Sequence, residues 1–181
     1  MRPASFACVV ACVVACVTMG PMVPGAAGAQ GVRVKLPAWA EPVLLDTMRQ
    51  EHEVRAAPEV VYRAVLDAYR ELGIPGGNTD DTRGIIGSER FEKMRSLAGA
   101  PMSMSFSCGE SATGPNADAY RLTIAVVTWV KPREAGGTTV AIAVAAAGQD
   151  ITGVYRNPRA CASTGRVETK IVDYVTKAVR R

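Results

Sequence analysis

The sequence predicts an α+β fold: a two-layer sandwich in which an antiparallel sheet of about four to five strands carries two helices, 58–72 and 164–180, on one face. Three observations lead there. Apolar residues recur at helical spacing in two separate segments. Two long runs near the centre place large apolar residues at every second position on either side of a glycine-rich turn. Between the helices several strands follow one another, so a parallel doubly wound sheet does not fit.

Ahead of the fold come Arg2, an apolar run over residues 4–19, the breakers Gly20-Pro21 and Pro24, and the small-x-small triplet Ala27-Gly28-Ala29. This is the three-part pattern of a secretory signal, expected to span residues 1–29. The run is shorter than the roughly 20 residues that a membrane-spanning helix needs. Val13-Val14-Ala15-Cys16 also fits, loosely, the box of bacterial lipoproteins, which leaves lipidation at Cys16 as the alternative. Removing residues 1–29 from the 181 leaves 152, and losing Arg2 lowers the formal charge from +4 to +3. No Lys/Arg run exceeds Arg180-Arg181, so the concentrated basic stripe of a nucleic-acid binder is missing.

Two of the five cysteines lie beyond residue 29, Cys108 and Cys161. In an oxidising compartment the simplest reading of such a pair is one disulfide. A zinc site needs about four ligands at recognisable spacings. The chain has one histidine, His52, and no Cys-x-x-Cys.

Residues 30–43, with Pro37, Trp39 and Pro42, read as an extended lead-in to a single domain over 44–181. Residues 44–56 alternate loosely, with Met48, Gln50, His52 and Val54 on one face of a strand. Pro58 opens a helix, since its missing N–H is not needed in the first turn, and Glu59 complements the positive end of the dipole. Val61, Val65, Ala68 and Leu72 form its stripe, with Val60 and Ala64 widening it, and Gly73 stops it.

Residues 74–81 are turn chemistry. A calcium loop is disfavoured there, because Gly84 falls one place late and no closing glutamate follows. Residues 82–91 read as a strand and 94–101 as a loop. Next, Met102, Met104, Phe106 and Cys108 alternate with Ser103, Ser105 and Ser107, a pattern that points the methionines and the cysteine inward and the serines outward. Residues 119–130 and 138–147 are the strongest strands, joined by the hairpin loop 131–137. Ala141, Ala143 and Ala145 would let a helix approach closely. Residues 148–162 are mixed, and Ser163, Thr164 or Gly165 can cap a last helix with the stripe Val167, Ile171, Tyr174, Val175 and Ala178.

No catalytic motif, phosphate-binding glycine loop or cofactor signature is legible, and His52 between Glu51 and Glu53 reads as a surface residue. Tyr155, Arg156 and Arg159 have the residue types of interface hot spots and are the expected partner-binding residues.

The stretch Ala57-Pro58-Glu59-Val60-Val61-Tyr62, then Leu72-Gly73-Ile74, Asp80-Asp81 and Gly84-Ile85-Ile86, resembles the strand–helix–strands–helix modules of bacterial outer-membrane-assembly lipoproteins. It covers about thirty residues. The resemblance implies an envelope accessory or binding module and transfers no site residue. The expectation is therefore an exported, non-catalytic binding or assembly protein without cofactor. Its partner would be another envelope protein or a small apolar ligand, with membrane attachment only if lipidated. A carrier, or an enzyme with a scattered site, is the alternative.

Overall fold

A computed structural model describes residues 31–153 and 157–180. The signal segment, Cys16, Tyr155 and Arg156 lie outside the described residues. The architecture is α+β, with three helices and mostly antiparallel sheets. Its main sheet has seven strands rather than four or five: β1 Gln50–Val54, β2 Thr79–Asp80, β3 Ile85–Met94, β4 Phe106–Ser107, β5 Arg121–Pro132, β6 Thr138–Gln149 and β7 Arg159–Ser163. They lie in the order β2-β3-β5-β6-β7-β4, and β1 also pairs with β6. Two-residue strands such as β2 and β4 carry no periodicity, which is why the sequence undercounts them.

The hairpin β5–β6 is the spine, in unbroken register from Arg121↔Gln149 to Pro132↔Thr138. Its free edges are taken by β3 on one side and, on the other, by β1 at Thr138–Ile142 and β7 at Ala146–Gly148. Nearly every residue of β5 and β6 is buried, because both sheet faces are covered.

Helix α1 (Pro58–Glu71) and helix α3 (Arg166–Ala178) share one apolar cluster with Leu122, Ile124, Val126, Val140, Ile142 and Val144. Val61, Ala64, Val65, Ala68 and Tyr69 are buried on α1. Val60 is 43% exposed, so the stripe widens towards Tyr69 and not towards Val60. The buried Tyr69 hydroxyl is satisfied, lying 3.0 Å from Thr128 Oγ1 and donating to Ile86 O at 3.3 Å. Burial raises its pKa above the ordinary tyrosine range.

The alanine face of β6 meets no helix. Ala141, Ala143 and Ala145, with Ala125, Val127 and Trp129 of β5, pack against Val34, Leu36 and Leu45. Residues 31–47 therefore close the second face. Arg33–Val34 pairs with Val43–Leu44, Val32 donates to Asp46 Oδ1 at 2.7 Å, and Trp39 packs on the cluster from outside.

Residues 102–108 are not the regular strand that their alternation suggests. A 3-10 turn at Met102–Met104 changes the period from two to three. Met104 is 47% exposed, whereas Ser105 is buried and accepts Thr164 N–H through its carbonyl. Asp118, in the short helix α2 (Asn116–Ala119), holds Ser103 by accepting both its N–H at 2.8 Å and its hydroxyl at 2.7 Å. Cys108 and Cys161 form a disulfide, tying the segment after β4 to β7. A Cβ at Gly148 would fall 3.1 Å from Cys161 Sγ and 2.9 Å from the Tyr120 ring, so glycine is needed where the bridge crosses β6.

Helix α3 starts at Arg166 because Gly165, at φ +83°, turns the chain. Ser163 accepts Gly165 N–H at 3.1 Å and donates to Glu168 Oε1 at 2.7 Å, holding one oxygen of the carboxylate buried in the first turn, while Oε2 has no hydrogen-bond partner among the described residues. No helix among the described residues is long and apolar enough to cross a membrane.

Candidate functional site

The concave surface richest in functional groups lies at one end of the sheet. It is an open groove of about 590 Å3 between the start of α1, the turn after β2 and the end of β5. Three local causes build it. Ala57, in extended conformation, hands the chain to Pro58, and its carbonyl accepts Val60 and Val61 N–H, both at 3.1 Å. Pro58, Glu59, Tyr62 and Arg63 thereby form one wall.

The second wall is a turn tied by the Asp80 carboxylate. Asp80 Oδ1 accepts Arg83 N–H at 3.0 Å, and Oδ2 accepts Arg83 Nε–H at 2.6 Å. The Arg83 hydrogen bonds hold the Asp80 carboxyl below the usual aspartate range. Gly84 closes the turn at φ +64°, and a Cβ there would sit 2.2 Å from Val130 O. Only glycine allows this approach, in which Gly84 O accepts Val130 N–H at 2.8 Å.

Val130, Lys131 and Pro132 complete the groove from β5. The following loop is pinned to β1, where Arg133 Nη2 meets Glu53 Oε1 at 2.8 Å.

Tyr62 links the first two walls by donating its hydroxyl to Asp81 Oδ1 at 2.5 Å. Partial burial, then the hydrogen bond and negative field of Asp81, push its pKa up to about 12. At neutral pH Tyr62 is thus a fixed hydrogen-bonding aromatic wall and not a base. The lining carries Arg63, Arg83 and Lys131 against Glu59 and Asp81, with the Tyr62 ring, the two prolines and Val130 between them. Such a surface can hold an extended polar segment by stacking and charge-assisted hydrogen bonds. The carboxylates of Asp80 and Asp81 already serve Arg83 and Tyr62, and no cluster of three or more metal-ligating side chains occurs among the described residues.

The residues singled out from sequence lie elsewhere. Arg159 is exposed at the start of β7, opposite Gly148, and does not line the groove. His52 is not a plain surface residue: it faces Val140 of β6, half-buried, and its Nε2 is buried without a hydrogen-bond partner among the described residues. Sequence reasoning missed the groove because its three walls, at residues 58–63, 81–84 and 130–132, lie far apart along the chain. The signal available was Pro58, Gly84 and Pro132, each at the end of a strong element. Compared with known proteins, the chain matches no family model and no curated sequence.

Proposed function

We propose that the chain is an exported, non-catalytic binding or assembly module of the bacterial envelope, which takes an extended segment of a partner protein in the Tyr62 groove. The observation that carries this is the groove itself: open, walled by rigid element ends, and lined by an aromatic ring and both signs of charge. The disulfide fits an oxidising compartment, and the export pattern of residues 1–29 supports the same location. The resemblance of residues 57–86 to envelope-assembly modules points the same way. The shared core of α1, α3 and one sheet face favours a two-layer arrangement, with residues 31–47 as a cover on the other side.

A carrier would need space between helices and sheet. Val61, Val65, Leu122, Ile124, Ile142 and Ile171, the residues that meet there, are all 0% exposed. The test is photo-crosslinking in the native host, with a photoreactive residue in place of Arg63 and, as control, in place of the exposed Lys177 on α3. A discrete protein adduct is expected at position 63 alone. Equal labelling at both positions, or none at 63, contradicts the proposal.

A further inference from the structure

We infer that the outer edge of β3 is a self-association surface, on which a second copy of the chain lays its own β3 antiparallel about a two-fold axis at Phe91. This edge is separate from the groove, which lies at the other end of β3.

β3 is ten residues long and pairs with β5 along its inner edge from Ile85 to Met94. On its outer edge β2 reaches only Ile85 and Ile86, and Gly87 N–H is taken by Asn78 O at 2.9 Å. From Ser88 to Met94 no strand pairs on that side among the described residues. An open edge of this length is a template for another strand unless its side chains forbid it.

Here the side chains select one partner. The edge reads Glu89-Arg90-Phe91-Glu92-Lys93, with Glu89, Arg90 and Glu92 exposed. In an antiparallel pair centred on Phe91, Arg90 opposes Glu92 on the same sheet face, and the two-fold axis makes this pair twice. Moving the axis by one residue sets Arg90 on Arg90 or Glu92 on Glu92. Opposite charges across a ladder attract and like charges repel, so the pattern fits this chain in this register and rejects its neighbours.

Present commitments of these side chains are loose: Glu92 lies 3.9 Å from Arg121, both half exposed, and Glu89 accepts from Asn78 at 3.3 Å. The bulge that sets Glu89 and Arg90 together opposite Ala125 keeps the shared ladder short. A two-fold contact also consumes the edge that makes it, so the product is a closed dimer and not an array.

The test is sedimentation equilibrium of the disulfide-bonded protein over a concentration series at low and high salt. The wild type should move from monomer towards dimer with concentration, and less so in high salt. Arg90→Glu and Glu92→Arg should each weaken dimerisation by about tenfold, since each replaces two attractive cross-strand pairs with repulsive ones. Mixed in equal amounts, the two variants should dimerise again. In the mixed dimer the new glutamate of one variant faces the new arginine of the other, and the unchanged Glu92 of the first faces the unchanged Arg90 of the second. A folding defect could not produce that recovery. A wild type that stays monomeric throughout, single variants that dimerise like the wild type, or a mixture that stays monomeric would each overturn the inference.

Discussion

Replacing both Cys108 and Cys161 with alanine probes the link between the disulfide and the stability of the domain. The bridge joins residues 53 apart. In the chain-entropy model, closing a loop of that length removes about 4 kcal/mol worth of freedom from the unfolded chain at 25 °C. The folded state loses packing as well, since both sulfurs and the Tyr120 ring lie against Gly148 of β6. Typical domains have about 5–15 kcal/mol in total, so the bridge is a large share. At roughly 2–4 °C per kcal/mol for a domain of this size, the melting temperature should fall by about 8–16 °C. Urea unfolding followed by circular dichroism, analysed by linear extrapolation, gives the free-energy difference directly. Thiol titration of the denatured wild type should find neither Cys108 nor Cys161 free. A loss below about 1 kcal/mol, or two titratable thiols, would refute the reasoning, because the loop-closure cost would then not act on this chain.

Three further outcomes follow from the packing. Tyr69→Phe should cost about 1–2 kcal/mol by stranding Thr128, while Thr128→Val should cost less because Tyr69 keeps Ile86 O; the double variant should fall short of the sum in a urea-denaturation cycle. Leu36→Ala, at a side chain with no exposure, should cost about 2–5 kcal/mol, whereas a loss within about 0.5 kcal/mol would show that residues 31–47 are not part of the folded unit. The Tyr62 hydroxyl should ionise near pH 12 in a 295 nm titration differenced against Tyr62→Phe. Its folded pKa is raised, so its contribution is whole below the ordinary pKa of 10 and is lost as pH climbs from there through about 12. Asp81→Asn should lower the observed value.

Helix α1 was legible because Pro58 at its first position, the stripe from Val61 to Ala68, and Gly73 all agree on one element. The β5–β6 hairpin was legible for the same kind of reason: large apolar residues at every second position on both sides of a glycine-rich turn. What was not legible depends on long-range partners. Residues 31–47 lack periodicity and become ordered by covering the small side chains of β6, a face that sequence alone assigned to a helix. Residues 102–108 alternate well, yet Met102–Met104 winds into a 3-10 turn so that Ser103 can reach Asp118. β7 hides in a stretch punctuated by Gly153 and Pro158, and exists because β6 extends past β1 and offers Ala146–Gly148 as an edge. The groove stayed hidden because Tyr62, Gly84 and Lys131 meet only after α1, β2, β3 and β5 have packed.

The central claim, that the Tyr62 groove is where a partner is held, is tested most directly by crosslinking from position 63 in the native host with and without groove substitutions. Tyr62→Ala together with Lys131→Glu removes the aromatic wall and reverses one charge at surface positions. With the melting temperature shown to be unchanged, this double variant should abolish the adduct formed from position 63. An adduct of undiminished yield and the same mass in the double variant would contradict the claim.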